Sequence, residues 1–106
     1  MRTILAVALT LICATGHAAE WTAKHPILRI LYDGAAGTMT AYFETATGTW
    51  SPAGCPNARY VMIRGVEGSK EILAIALSAK LSDKLVQFYG TCYDATYFSA
   101  HYITVE

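Results

Sequence analysis

The stretch "EGSKEILAIALSAKLSDKLVQFYG", residues 67–90, decides the fold, because it passes from helix into strand. Residues 67–84 are rich in helix formers and hold no proline, so the composition predicts a helix. Ser69 is placed to cap its N-terminus, and Glu71 sits in the first turn, where a carboxylate complements the helix dipole. "KLVQFYG" (84–90) then reads as a strand. Set at 100° per residue, Ile72, Ile75, Ala76 and Ala79 form one apolar stripe and Leu73, Leu77 and Leu81 a second, about 120° round. One stripe suffices to cover a small sheet, so the leucine stripe predicts a contact with another subunit or cover by a long loop such as 46–57.

On the N-terminal side, "HPILRILY" (25–32) is a leucine-rich and β-branched run bounded by Pro26 and by the turn residues Asp33, Gly34 and Gly37. "TMTAYFET" (38–45) alternates, with Met39, Ala41 and Phe43 on one face and Thr40, Tyr42 and Glu44 on the other, so the two runs predict a hairpin. "ATGTWSPAGCPN" (46–57) carries Gly48, Pro52, Gly54 and Pro56 and reads as a surface loop. "ARYVMIRG" (58–65) resumes as a strand, and "TYFSAHYITV" (96–105) closes the chain as another. The order βββαββ is mainly β with one helix. It is the order of an OB-fold, a five-stranded Greek-key barrel, and an open α+β sheet with one helix packed across it would give the same string.

The chain opens "MRTILAVALTLICATGHAAEWT": one positive residue, an apolar run from Ile4 to about Ala14, then small residues up to Ala19. This is the pattern of a secretory signal peptide over residues 1–19, with cleavage after Ala18 or Ala19. The run is too short for a membrane span, which needs about 20 apolar residues. Ile12 before Cys13 does not fit a lipoprotein signal. Residues 20–106 then form a single domain, and loss of Cys13 turns three cysteines into two, Cys55 and Cys92. In an exported chain an even pair predicts one disulfide, contributing roughly 3 to 4 kcal/mol in the chain-entropy model. Loss of Arg2 leaves seven Lys/Arg against eight Asp/Glu. The scattered cations offer no patch for nucleic acid or for an anionic membrane.

Cys92, Asp94 and His101 stand close in sequence, as a thiol nucleophile, its orienting acid and its base would. A nucleophile needs an unpaired thiol, and Cys55 supplies Cys92 with a partner, so no catalytic residue is assigned. His25 and His101 are the only histidines past residue 19, and no CxxC occurs, so neither a metal nor another cofactor is expected. Glu44, Glu67, Glu71 and Asp83 read as solvated turn and helix-end residues. All seven tyrosines, both tryptophans and all three phenylalanines follow residue 19. Sugars lay a face of C–H groups on aromatic rings while hydroxyls and carboxylates bond their edges. Trp50, Ser51, Tyr93, Asp94 and Tyr97 offer that mixture in two loops that a Cys55–Cys92 bond would tie together. The alternative is that these rings cover barrel ends or a subunit interface.

"EWT" (20–22), the βββαββ order, "EILAIALSAKLSDKLVQFYG" (71–90) and the following Cys92 resemble exported bacterial B subunits of the subtilase-cytotoxin and pertussis-like AB5 group and small secreted relatives. The resemblance covers most of residues 20–106. It implies an OB-fold, a ring of five subunits with helices lining its centre, recognition of host glycans, and an enzymatic A subunit as partner. "TAKHPILRI" (22–30) lacks the serine with which those subunits hold a sugar carboxylate, so no sugar contact is carried over. The expected function is an exported, oligomeric, non-enzymatic binding module for cell-surface glycans, secreted or periplasmic. A small inhibitor acting through protein–protein contacts, such as an inserted 46–57 loop, is the alternative.

Overall fold

The structure is a computed structural model and describes residues 18–34, 40–64 and 68–106. The expected signal peptide, apart from Ala18 and Ala19, lies outside the described residues. So do the turn residues 35–38, Met39, and the segment 65–67 with Glu67.

Among the described residues, six strands and one helix follow in the order β1 (Glu20–Trp21), β2 (His25–Asp33), β3 (Thr40–Thr45), β4 (Tyr60–Arg64), α1 (Ser69–Leu81), β5 (Leu85–Cys92) and β6 (Tyr97–Val105). The five expected strands and the helix are present, mainly β with one helix, and β1 is additional. It is only two residues long and carries no periodic signal. It forms because Glu20 and Trp21 pair with Gly90 and Tyr89 of β5. The next residue locks it down: the Thr22 amide donates to the Phe88 carbonyl at 2.8 Å, and the Phe88 amide donates to Thr22 Oγ1 at 3.0 Å.

The sheet order is β1-β5-β2-β3-β4-β6, and β5 pairs with β6 as well, so the sheet is partly closed into a ring. The joint between β2 and β5 is the short one, His25 opposite Val86 and Pro26 opposite Leu85. β4 and β6 run parallel, Tyr60 opposite Tyr97 and Met62 opposite Ser99, and the other pairs are antiparallel. Register shifts between Ile27 and Arg29, and between Tyr89 and Gly90, bend the two strands on which closure depends. Such bulges increase local twist and let a sheet curl.

The alternation seen in sequence sets the two faces. Ala41, Phe43, Val61, Ile63, Val86, Phe88 and Phe98 point inward and are buried. Phe43 stacks on Phe88 at 5.2 Å, and Trp50 meets Phe88 edge-on at 5.1 Å. The expectation that Trp50 contacts a ligand is corrected here. Its ring is 0 % exposed and its Nε1 donates to the Phe43 carbonyl at 3.0 Å. Loop 46–57 folds its tryptophan inward, where the ring packs on Phe88 and adds a large apolar side chain to the core of a small domain.

Two expectations for α1 are also corrected. The N-cap position is Gly68, at φ 89°, and no side chain caps the helix; the Ser69 hydroxyl instead donates to the Arg64 carbonyl. The buried face is the first stripe without Ile75 and with Leu73 added: Ala76 and Ala79 are buried, Ile72 and Leu73 pack partly on the core, and Ile75 is exposed. Leu73 thus belongs to its own domain's packing. Leu77 and Leu81 remain exposed, Leu81 at 78 %, so loop 46–57 does not cover them.

Candidate functional site

The outward face of the ring carries the side chains the core does not use. Leu31 of β2 and Tyr42 of β3 are directly opposite one another, and so are Tyr60 of β4 and Tyr97 of β6. These four, with Tyr32 and Asp33 at the end of β2, line an open cleft of about 320 Å³. Its wall is a cluster of rings. Tyr60 and Tyr97 stack at 5.3 Å and 19°, and Tyr42 stands across them, 6.3 Å from Tyr60 at 76° and 5.8 Å from Tyr97 at 59°. Cross-strand register brings them together, since aromatic side chains on one face of neighbouring strands are within reach of one another.

A charged cluster fixes the cleft from beside it. Glu44, expected at the solvent, is buried at 6 % exposure and is corrected to a structural residue. Arg29, opposite it in the register, donates from its guanidinium to Oε1 at 2.5 Å, and Arg59 lies 4.0 Å from Oε2. The hydrogen bond from Arg29 holds the Glu44 carboxyl below the usual glutamate range, against the opposing effect of burial, and a hydrogen bond with Tyr60 adds to it. The Arg59 guanidinium also lies over the Tyr60 ring, 5.4 Å from its centroid. Tyr60 is therefore held by a stacked neighbour, a cation on its ring and a buried carboxylate.

The expected site residues are placed as follows. Tyr97 is in the cleft. Tyr93 and Asp94 belong to the turn that precedes it: their amides donate to the Tyr97 carbonyl, and Asp94 Oδ1 accepts from the amides of Thr96 and Tyr97, both at 2.8 Å. Asp94 thus shapes the turn that presents Tyr97. Tyr93 is exposed, with the Arg64 guanidinium 4.4 Å from its ring centroid. Ser51 is exposed at φ 51° and its hydroxyl bonds that of Thr49 at 2.8 Å. A disulfide joins Cys55 to Cys92. Hence Cys92 has no thiol with which to attack, and Asp94 and His101 have no nucleophile to serve.

Sequence reasoning missed Tyr32, Asp33, Tyr42 and Tyr60. The alternation of 38–45 did put Tyr42 on the outer face, but joining it to Tyr60 and Tyr97 needs the β3–β4 and β4–β6 registers. Among the described residues no group of three His, Cys, Asp or Glu could hold a metal, and no helix is long and apolar enough to cross a membrane. No protein-family model, no curated protein and no solved structure compared with the chain matches it.

Proposed function

We propose that this chain is an exported, non-enzymatic glycan-binding module on an OB-fold, working as a homo-oligomer in the manner of a toxin B subunit. The observation that carries the reading is the tyrosine cleft: rigid rings with polar tips, beside Asp33 and the Arg59 guanidinium, in a concavity open to a small ligand. A pyranose laid on Tyr42 would place its apolar face on the ring and its hydroxyls toward those edges, with Tyr60 and Tyr97 as the wall behind it. Pre-ordering of the rings by Glu44, Arg29 and the Asp94 turn lowers the entropy cost of binding. The OB-fold reading rests on the ring of pairings β2-β3-β4-β6-β5 with its parallel β4–β6 pair. Export rests on the leader-like start and is compatible with the disulfide, which persists in an oxidising compartment. The exposed Leu77 and Leu81 support assembly, in which several weak sites on one ring act together. A pentamer with an enzymatic A subunit is the assembly the family resemblance implies.

A glycan array probed with the purified protein and with the Tyr42→Ala, Tyr60→Ala variant tests this. Hits that the variant loses by about tenfold or more, at unchanged circular dichroism, are the expected result. An array without hits, beside a pull-down giving one stoichiometric protein partner, would replace the reading with the inhibitor.

A further inference from the structure

A second row of rings lies elsewhere on the outer face. Trp21 of β1 is opposite Tyr89 of β5, and Tyr89 is opposite Tyr102 of β6, so three aromatic side chains cross three adjacent strands in one line. Ring centroids are 5.0 Å apart for Trp21 and Tyr89 and 5.6 Å for Tyr89 and Tyr102. Trp21 is 45 % exposed and Tyr102 63 %, far more than rings that serve a core. The backbone beneath them is fixed: besides the two Thr22–Phe88 bonds, Gln87 Nε2 donates to the Thr22 carbonyl at 2.9 Å. The bulge at Gly90 sets the register in which Tyr102, not His101, meets Tyr89.

The chemistry around the row is as telling as the rings. β5, LVQFYGTC, and β6, YFSAHYITV, contain no Asp, Glu, Lys or Arg. Glu20, beside Trp21, turns away: its Oε1 accepts from the Gly54 amide. The outward neighbours of the rings are Gln87, Thr91 and Thr104, with the exposed imidazole of His101 next to Tyr102 in β6. A nucleic acid, an acidic peptide or an anionic headgroup would find no lysine or arginine on these two strands to pair with its charge. A contact between copies can bury such rings as well, and its dependence on protein concentration distinguishes it from a ligand surface. A run of rings with polar tips and neutral hydrogen-bonding neighbours matches a ligand with apolar C–H faces, many hydroxyls and no charge.

We infer that Trp21, Tyr89 and Tyr102 form a second binding surface, for an uncharged, extended glycan chain whose successive sugar rings lie along the row. It is separate from the tyrosine cleft and does not depend on the reading of that cleft. The row is open and nearly linear, so it suits the flank of a chain, whereas the cleft suits a single residue.

The two tryptophans make the test specific, because Trp21 is exposed and Trp50 is fully buried. Acrylamide quenching of tryptophan fluorescence is measured on the protein with a panel of uncharged soluble polysaccharides: a β-glucan, a mannan, a galactan and an arabinoxylan. At least one should lower quenching toward the level of Trp21→Phe, in which only Trp50 remains. The same polysaccharide should retard the protein in an affinity gel, and Tyr102→Ser should weaken that retardation by about tenfold. Tyr60→Ala should leave Trp21 protection unchanged, so a failed cleft and a failed row give different results. Three outcomes overturn the inference: no polysaccharide of the panel protects Trp21, protection needs Tyr60, or Trp21 becomes protected by raising protein concentration alone. The last would make the row a contact between copies.

Discussion

Trp50 sits among Gly48, Pro52 and Gly54, a composition that keeps regular structure away and ordinarily marks an exposed loop. Loop describes the backbone, however, and says nothing of where one indole goes. The amide and carbonyl of Trp50 bond Ala58 and Ala23, its ring N–H bonds Phe43, and these partners come from three separate segments. No local pattern could reveal them. Gly90 gives the opposite case, a residue whose reason is wholly steric. A Cβ built there would meet the Ser99 carbonyl oxygen at 1.9 Å and Ala100 Cα at 2.9 Å, all backbone that cannot rotate away. Gly90→Ala must push β6 off β5 at the bulge, and the expected cost is about 2 to 4 kcal/mol. Urea unfolding of the variant measures it. A midpoint equal to that of the parent would mean that β6 approaches β5 less closely than described.

The elements were legible to different degrees, and the reason is physical. β2 to β6 and α1 are long enough for their period to show, and their observed bounds fall within about three residues of the expected ones. β1 was not legible, since two residues have no period; only its partner on β5 makes it a strand. In α1 the sequence shows two stripes but not their ranking. The sheet takes most of the first, Ile72, Ala76 and Ala79, together with Leu73 from the second, and two alanines let the helix lie close. Ile75, Leu77 and Leu81 are left outside. At the C-terminal end Asp83 adopts φ 54° and Lys84 returns its amide to the Ala79 carbonyl, ending the helix where β5 must begin. If the exposed leucines serve assembly, Leu77→Glu with Leu81→Glu should shift the mass by light scattering to that of one chain. Thermal stability of the single domain should change by less than about 0.5 kcal/mol, because neither side chain is packed within it. A parent protein already monomeric at high concentration would remove the leucine face as an assembly surface.

The molecule holds together through a small aromatic core, a partly closed ring and one covalent tie between the loop bearing Trp50 and the end of β5. The tie contributes roughly 3 to 4 kcal/mol in the chain-entropy model, a large share of the stability of so small a domain. Two titrating groups then set how that stability depends on pH. His25 lies beside Trp50, ring centroids 6.0 Å apart, and burial lowers its pKa from 6.5. Glu44 is held below the ordinary glutamate value by Arg29. In both cases the folded state releases its proton more readily than the unfolded chain does, so the unfolded state binds more protons and stability rises with pH. Each contribution is therefore present above the unfolded pKa and is lost as pH falls through the folded one. The histidine contribution goes first, below 6.5, and the glutamate contribution follows below the ordinary carboxylate range. Urea midpoints recorded from about pH 8 to about pH 3 should show two successive declines. His25→Gln should flatten the upper decline alone. Glu44→Gln should flatten the lower one, and it should lower stability at neutral pH by removing the negative charge that Arg29 and Arg59 face. Parallel profiles for parent and Glu44→Gln would show that the Arg29 pair does not couple to folding. The cleft provides a second reading of the same substitution: a Tyr60 ring held by Glu44 should become more mobile, so Glu44→Gln should weaken any ligand of the cleft at neutral pH while leaving the row at Trp21 untouched.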